Sequence, residues 1–227
     1  MKKKFNTKVI HAGHGSDKET GAVMPPIHLS STFKQIEPGN FEYEYARTKN
    51  PSRDVLEKLL AQIESGHKAF AFASGMSAIN TVCDLFGTNF HIICSDDVYG
   101  GTRRLFDKVK SDIEVTYIDF DKNVNWNDEI KENTKFIWVE TPSNPLMKII
   151  DIKNTVSIAS EFNLPVICDN TFASPFNQRP LELGAAMVVS SSTKYLGGHS
   201  DIVGGSIVIK ENKEYAEKIS YIQNAVG

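Results

Sequence analysis

The sequence is short of cysteine and tryptophan, with three of the first and two of the second in 227 residues. Cys83, Cys94 and Cys168 are scattered and form no CxxC pair, which excludes a thiolate zinc site and a disulfide framework. Each lies in an apolar run (TVCDLF, HIICSD, PVICDN), the setting of a small buried hydrophobe in a reducing compartment. None has an activating neighbour in sequence, so a nucleophilic thiol is not expected. An excess of one charge is also lacking: 25 Lys+Arg against 28 Asp+Glu leave a formal charge of −3. That balance offers no basic footprint for nucleic acid or anionic lipid. No apolar run reaches the ~18 residues that a membrane span needs. The basic start, MKKKFNTKVIHAG, lacks the apolar stretch of a secretory signal. His11 and His14 have no third ligand at suitable spacing, so no metal site is expected. The expectation is a soluble, cytoplasmic protein without nucleic-acid or membrane partners.

What is present is a chain 41% hydrophobic, of a length suited to one large domain or one domain plus an arm. Residues 1–45 read as an irregular arm, broken by Pro25, Pro26 and Pro38 and by Gly13, Gly15, Gly21 and Gly39. Across residues 46–227, short apolar runs alternate with amphipathic stretches. Seven runs are of β type: KAFAFAS, HIICSD, EVTYID, KFIWVE, LPVICD, AMVVSS and GSIVIK. Helical spacing is found over Ser52–Ile63, in Met76-Ile79-Cys83-Phe86 and in Val156-Ile158-Ala159-Phe162, and again from Lys213 to Val226. Near-continuous apolar strands between helices predict an α/β domain, a mostly parallel sheet with helices on both faces.

In such a sheet ligands bind beyond the carboxyl ends of the strands. Five strand ends there deliver polar or glycine-containing turns: Ser74-Gly75-Met76, Asp97-Val98-Tyr99-Gly100-Gly101, Glu140-Thr141-Pro142-Ser143-Asn144, Asp169-Asn170-Thr171 and Ser190-Ser191-Ser192-Thr193-Lys194. Ser-Gly-Met opening a helix offers free N–H groups and a positive dipole end to a phosphate. Ser191 and Thr193 add hydroxyls, on one face if the strand continues; Lys194 would then point the other way unless the chain turns. Asp169 closes a wholly apolar run and needs a cationic partner. Tyr99, beside two glycines, offers an aromatic face to a flat ligand. Pyridoxal 5′-phosphate meets these demands together, since its ring nitrogen pairs with a carboxylate and its aldehyde condenses with lysine.

The same stretches, in order from about Thr20 to the last residue, carry a family likeness: YARTKNPSRDVLEKL, FASGMSAI, DDVYGGTRRLF, WVETPSNPLMKIIDI, VICDNTFASPFNQRPLELGA and SSTKYLGGHSDIVGG. The chain resembles the Cys/Met-metabolism family of pyridoxal-phosphate enzymes, which includes cystathionine γ-lyase, γ-synthase and β-lyase and methionine γ-lyase. The resemblance implies that Lys194 bonds to the cofactor, Asp169 pairs with its ring nitrogen and Tyr99 stacks on its ring. It implies a phosphate grip by the backbone of Gly75 and Met76 with the Ser191 and Thr193 hydroxyls. It makes Asn144 a contact for cofactor and substrate carboxylate, and sets Glu140 on the same rim. Tyr45 and Arg47 match a pair that reaches the phosphate from a neighbouring subunit, which implies a homo-oligomer, dimer or tetramer, with shared active sites. Lys194 and Tyr99 are the implied catalytic pair, the amine moving protons and the phenol acting near the leaving sulfur.

The function so implied is that of a pyridoxal-phosphate-dependent carbon–sulfur lyase acting on a small amino-acid substrate. It would cleave the Cγ–S bond of cystathionine to cysteine, 2-oxobutanoate and ammonia. The alternatives are γ-replacement transfer, in which cysteine displaces the acyl group of an O-acyl-homoserine, and a cofactor-binding paralogue without turnover. Two departures from the family pattern bear on these. Gly101 stands where methionine γ-lyases carry cysteine, which counts against that activity. The smaller C-terminal domain, which brings an arginine for the substrate carboxylate, has no counterpart in the 227 residues, so the expectation is a chain that binds cofactor yet turns over poorly.

Overall fold

A computed structural model describes residues 4–120, 122 and 124–226. Its seven strands are β1 (Lys68–Phe72), β2 (His91–Ser95), β3 (Glu114–Ile118), β4 (Thr134–Glu140), β5 (Val166–Asp169), β6 (Met187–Ser190) and β7 (Gly205–Ile209). They form one sheet in the order β1-β7-β6-β5-β4-β2-β3. The pairings β6-β5, β5-β4, β4-β2 and β2-β3 are parallel, while β7 runs antiparallel to both β1 and β6. The seven apolar runs of the sequence are these seven strands, and the α/β class with a mostly parallel sheet is observed.

Strand alternation divides the core between two faces. On β4, Phe136 and Trp138 join one cluster with Phe70, Ile92, Met187 and Ile207, while Ile137 and Val139 join another with Ile93 and Val166. The first face is covered by α3 (Gly75–Leu85), by α8 (Lys213–Val226), and by the short α4 (Gly100–Arg104), which runs on into a π-helical turn over Leu105–Val109. The second is covered by α2 (Pro51–Ile63) and α6 (Ile152–Glu161). Trp138, Phe70, Phe90, Phe106 and Phe136 are fully buried, each contributing on the order of 2–3 kcal/mol of hydrophobic free energy. All three cysteines are free and buried; burial pushes the Cys83 thiol up to about 12 and the other two well above their ordinary value.

Helix starts follow local chemistry. Asn50 Oδ1 accepts from the N–H groups of Ser52 and Arg53, with Pro51 at the first position of α2. Asp151 Oδ1 accepts from Asn154 at 2.9 Å to begin α6. Two four-residue helices, α5 (Trp126–Glu129) and α7 (Ser174–Asn177), lie in the connections from β3 to β4 and from β5 to β6.

The arm departs from expectation in one place. Phe5–His11 forms α1, without a side-chain cap or a buried residue. Phe5 and Val9, four residues apart on one helix face, line an apolar hollow with Leu56, Leu59, Leu60 and Ile63 of α2. Docking on a neighbour thus holds this helix, and seven residues are too few for periodicity to reveal it. From Gly13 to Lys49 the chain has no helix, and its only described pairings are the bridges Thr32↔Tyr45 and Glu37↔Asn40.

Candidate active site

Five strand ends converge on one hollow of about 530 Å³. Ser74, Gly75 and Met76 come after β1, Tyr99 after β2, Glu140 and Asn144 from β4 and beyond, Asp169 and Thr171 from β5, and Ser191, Thr193 and Lys194 after β6. Asp169 and Lys194 therefore share the same space.

Asp169 ends a strand on which every residue is buried, and is itself 6% exposed. Its Oδ1 accepts from the Thr171 hydroxyl at 2.6 Å and from the Thr171 N–H at 3.0 Å. Among the described residues no lysine, arginine or histidine forms an ion pair with it. Burial raises its pKa, against the lowering effect of the two Thr171 bonds. Such a carboxylate is set up for a cation that arrives with a ligand.

Glu140 ends the adjacent strand and is the register partner of Asp169. Its Oε2 accepts from the Tyr99 N–H at 2.9 Å, which fixes the turn that carries the half-exposed Tyr99 ring. Burial first, and then the Asp169 charge, push the Glu140 carboxyl up to about 8. Gly101 has a matching role. A Cβ there would come within 2.4 Å of Tyr99 Cε1 and 3.0 Å of Met76 Sδ, so only glycine leaves the ring its present place.

The opposite end of the hollow suits an anion. Ser74 caps α3, its hydroxyl accepting from Ser77 N–H at 3.0 Å. The N–H groups of Gly75 and Met76 belong to the first helical turn, whose donors have no intrahelical partner. Glycines make room for this helix end. A Cβ at Gly75 would lie 2.8 Å from Ser191 Cβ, and one at Gly205 only 2.1 Å from the Ser74 carbonyl oxygen. The hydroxyl of Thr193 is exchanged with Gly204, accepting from its N–H at 3.0 Å.

Lys194 reaches the hollow because β6 stops at Ser190. The chain then turns: Lys194 N–H donates to Ser191 at 3.2 Å, Gly197 to Ser192 at 2.8 Å and Gly198 to Lys194 at 2.8 Å. Strict alternation past Ser190 would have sent Lys194 to the other face. The turn puts Ser191, Thr193 and Lys194 on one wall.

Tyr45 and Arg47 are not part of this wall. Both are exposed. The Arg47 guanidinium donates to the backbone oxygen of Asn224 and, at 3.3 Å, to its Oδ1 near the end of α8. Sequence reasoning missed Thr171 as a site residue, and also Ile79, Phe172 and Val203, which line the hollow. An Asx turn in Asp-Asn-Thr was the available signal for Thr171; the apolar three carried none.

A buried carboxylate without a cation, a capped helix start pared by glycine and a lysine in the same hollow define an α/β domain whose site suits a group with an anionic end and a cationic one. The family model described as Cys/Met metabolism PLP-dependent enzyme matches residues 6–227. A cystathionine β-lyase of Coxiella burnetii is 46% identical over 230 residues, covering 100% of this chain and 59% of that protein. A cystathionine γ-lyase of Bacillus subtilis is 47% identical over 230 residues, covering 100% of this chain and 60% of its own length. A crystal structure of cystathionine γ-lyase from Lactobacillus plantarum complexed with L-serine superposes with a TM-score of 0.94 at 47% identity, over 99% of this chain and 59% of that one. The chain belongs to the Cys/Met metabolism family of pyridoxal-phosphate-dependent enzymes. It spans about 60% of the length of these relatives. Pyridoxal 5′-phosphate is the cofactor of that family, and the chemistry of the hollow suits such a group: a buried carboxylate without a cation at Asp169, a free helix start at Gly75 and a lysine on the wall. No helix among the described residues is long and apolar enough to cross a membrane, and no group of three or more His, Cys, Asp or Glu among them is arranged to hold a metal ion.

Proposed function

We propose that this chain is the cofactor-holding part of a carbon–sulfur lyase that cleaves the Cγ–S bond of cystathionine, giving cysteine, 2-oxobutanoate and ammonia. The observation that carries the reading is the single hollow shared by Lys194 and the buried, cation-free Asp169. When bound, pyridoxal phosphate supplies an electron sink for the pair left on the substrate Cα. Asp169 holds the proton on the ring nitrogen, and the Thr171 bonds aim it. The Gly75 and Met76 N–H groups, with the Ser191 and Thr193 hydroxyls, hold the phosphate. The Lys194 amine takes the proton from Cα and returns protons further along the substrate chain. Tyr99 covers the ring and faces the departing sulfur, and Asn144 contacts the substrate carboxylate.

Tyr45 and Arg47 act in this reading on the phosphate of a neighbouring copy, which makes the working form a homo-oligomer. Their exposure, and their place outside the hollow of their own chain, support that assignment.

A second reading is cleavage on the other side of the sulfur, supported by the β-lyase name of a relative as similar as the γ-lyase. Product analysis with cystathionine separates the two: cysteine with 2-oxobutanoate marks Cγ–S cleavage, homocysteine with pyruvate marks Cβ–S cleavage. Formation of cystathionine from an O-acyl-homoserine and cysteine marks γ-replacement instead. Borohydride reduction of the cofactor-loaded chain followed by peptide mapping tests the site itself. The expected pyridoxyl lysine is Lys194; any other lysine overturns the proposal.

A further inference from the structure

Glu140 and Asp169 end neighbouring parallel strands as register partners and line the same hollow. They are 5% and 6% exposed. Among the described residues neither is paired with a cation, and of the residues lining the hollow the exposed Lys194 alone is a lysine or arginine. Two buried carboxylates side by side cannot both be charged at modest cost.

The pair is asymmetric. Asp169 accepts a short hydroxyl bond as well as an N–H from Thr171. Glu140 accepts from the Tyr99 N–H, and the Asn144 backbone also favours its charged form. Against that, Glu140 faces a second acid, Asp97 beyond β2, whose Oδ2 is engaged by the Ser143 hydroxyl and the Leu146 N–H. The other titratable groups packed near Glu140 are the buried thiols of Cys94 and Cys168, and the Tyr99 phenol on the wall of the hollow. None of these adds positive charge. A proton held by the pair therefore rests on Glu140.

Resting on the assignment of Asp169 to a cofactor ring nitrogen, we propose that Glu140 is a proton-holding partner of Asp169, neutral in the cofactor-free chain and ionised once a cationic ring nitrogen settles against Asp169. Capture of the cofactor is thereby coupled to expulsion of one proton from Glu140 to solvent. The direction agrees with the elevated pKa of Glu140 in the cofactor-free chain, to about 8. Burial is the first cause of that elevation and the Asp169 charge the second, and a positive charge placed against Asp169 offsets the second. The freed carboxylate then accepts the Tyr99 N–H as a charged acceptor, a stronger bond than a neutral acid makes. Glu140 is thus a positioning residue, reporting the charge of the bound ring to the turn that carries Tyr99.

The test counts protons. 4-Deoxypyridoxine 5′-phosphate has the ring nitrogen and the phosphate but no aldehyde, so its binding leaves the amine of Lys194 out of the count. Its titration into the full chain at pH 7, in buffers of different ionisation enthalpy, is compared between wild type and Glu140→Gln. The wild type is expected to release close to one proton more per site than the variant, and the difference is expected to shrink above pH 8. Equal proton numbers at every pH overturn the proposal while leaving the cofactor assignment intact. Failure of the wild type to bind the analogue at all overturns both. Should Glu140→Gln not fold, infrared difference spectroscopy on the wild type decides: loss of one protonated-carboxyl band on binding supports the proposal, and an unchanged band overturns it.

Discussion

Thr171 donates its hydroxyl proton to Asp169 Oδ1 at 2.6 Å, and the Thr171 hydroxyl oxygen in turn accepts the Ser191 N–H at 2.9 Å. One side chain thus ties the carboxylate at the end of β5 to the turn after β6, which presents the phosphate hydroxyls and Lys194. In the proposed reading, both ends of a bound cofactor depend on this one threonine.

Replacing Thr171 with valine keeps the shape and removes both bonds. Each is worth about 1–3 kcal/mol when one partner is charged or is left buried without a partner. The cofactor-free site loses both bonds as well, so affinity registers about one bond's worth, a fall of roughly ten- to a hundredfold, while Thr171→Ser retains most of it. Fluorescence titration with pyridoxal phosphate reads this; equal affinity in the valine variant would show that the hydroxyl does not set the site.

The sheet was legible in the sequence because strands buried on both faces are apolar throughout. HIICS and MVVS each have every residue buried. Much of the site was legible for a related reason: a charged residue directly after an apolar run, such as Glu140 or Asp169, is out of place unless something uses it. Thr171 was not legible, because an ordinary turn threonine looks the same whether its hydroxyl meets water or a buried carboxylate. The reversed direction of β7 was hidden too, since GSIVI is as apolar as its parallel neighbours. The turn at Ser191–Gly198 was only half visible. Its glycines were plain, but not that β6 would stop early enough to swing Lys194 onto the wall.

Glu64 gives a pH prediction away from the site. It is 1% exposed, accepts at 3.3 Å from Asn170, the neighbour of Asp169, and its other oxygen has no hydrogen-bond partner among the described residues. Burial pushes its carboxyl up to about 7. The folded chain keeps the proton where the unfolded chain has lost it, so stability falls as pH rises from about 4.5 to about 7 and then levels off. Each unit is worth roughly 1.4 kcal/mol. Urea unfolding of Glu64→Gln across this range is expected to lack that part of the slope, with the largest gain relative to wild type above pH 7. Parallel curves for the two proteins would refute it.

Gly205 tests how closely β7 approaches the start of α3. A Cβ there meets the Ser74 carbonyl oxygen at 2.1 Å and Gly75 N at 2.7 Å, both backbone atoms that cannot rotate away. Gly205→Ala is expected to destabilise by about 1–3 kcal/mol, seen as a lower Tm, and to weaken cofactor binding by shifting the start of α3. Gly15→Ala, where nothing lies within 4 Å, serves as the control. Unchanged melting in Gly205→Ala would mean that the strand gives way without cost.

Sharing of the site between copies can be read by mixing variants. Arg47 is held by its own α8 through Asn224, while its backbone oxygen accepts from Arg53 at 2.9 Å, so the turn is anchored but the guanidinium is exposed. Arg47→Ala should capture cofactor weakly, and Lys194→Ala should form no borohydride-stable adduct. In a mixed pair, the hollow of the Arg47→Ala chain keeps its own lysine and receives an intact arginine from the Lys194→Ala chain. At limiting cofactor, co-refolding equal amounts should restore labelling at Lys194 in up to about half of the Arg47→Ala chains, the share expected for random pairing in a dimer. If Arg47 serves only the chain that carries it, mixing restores nothing, and labelling stays at the level of Arg47→Ala alone.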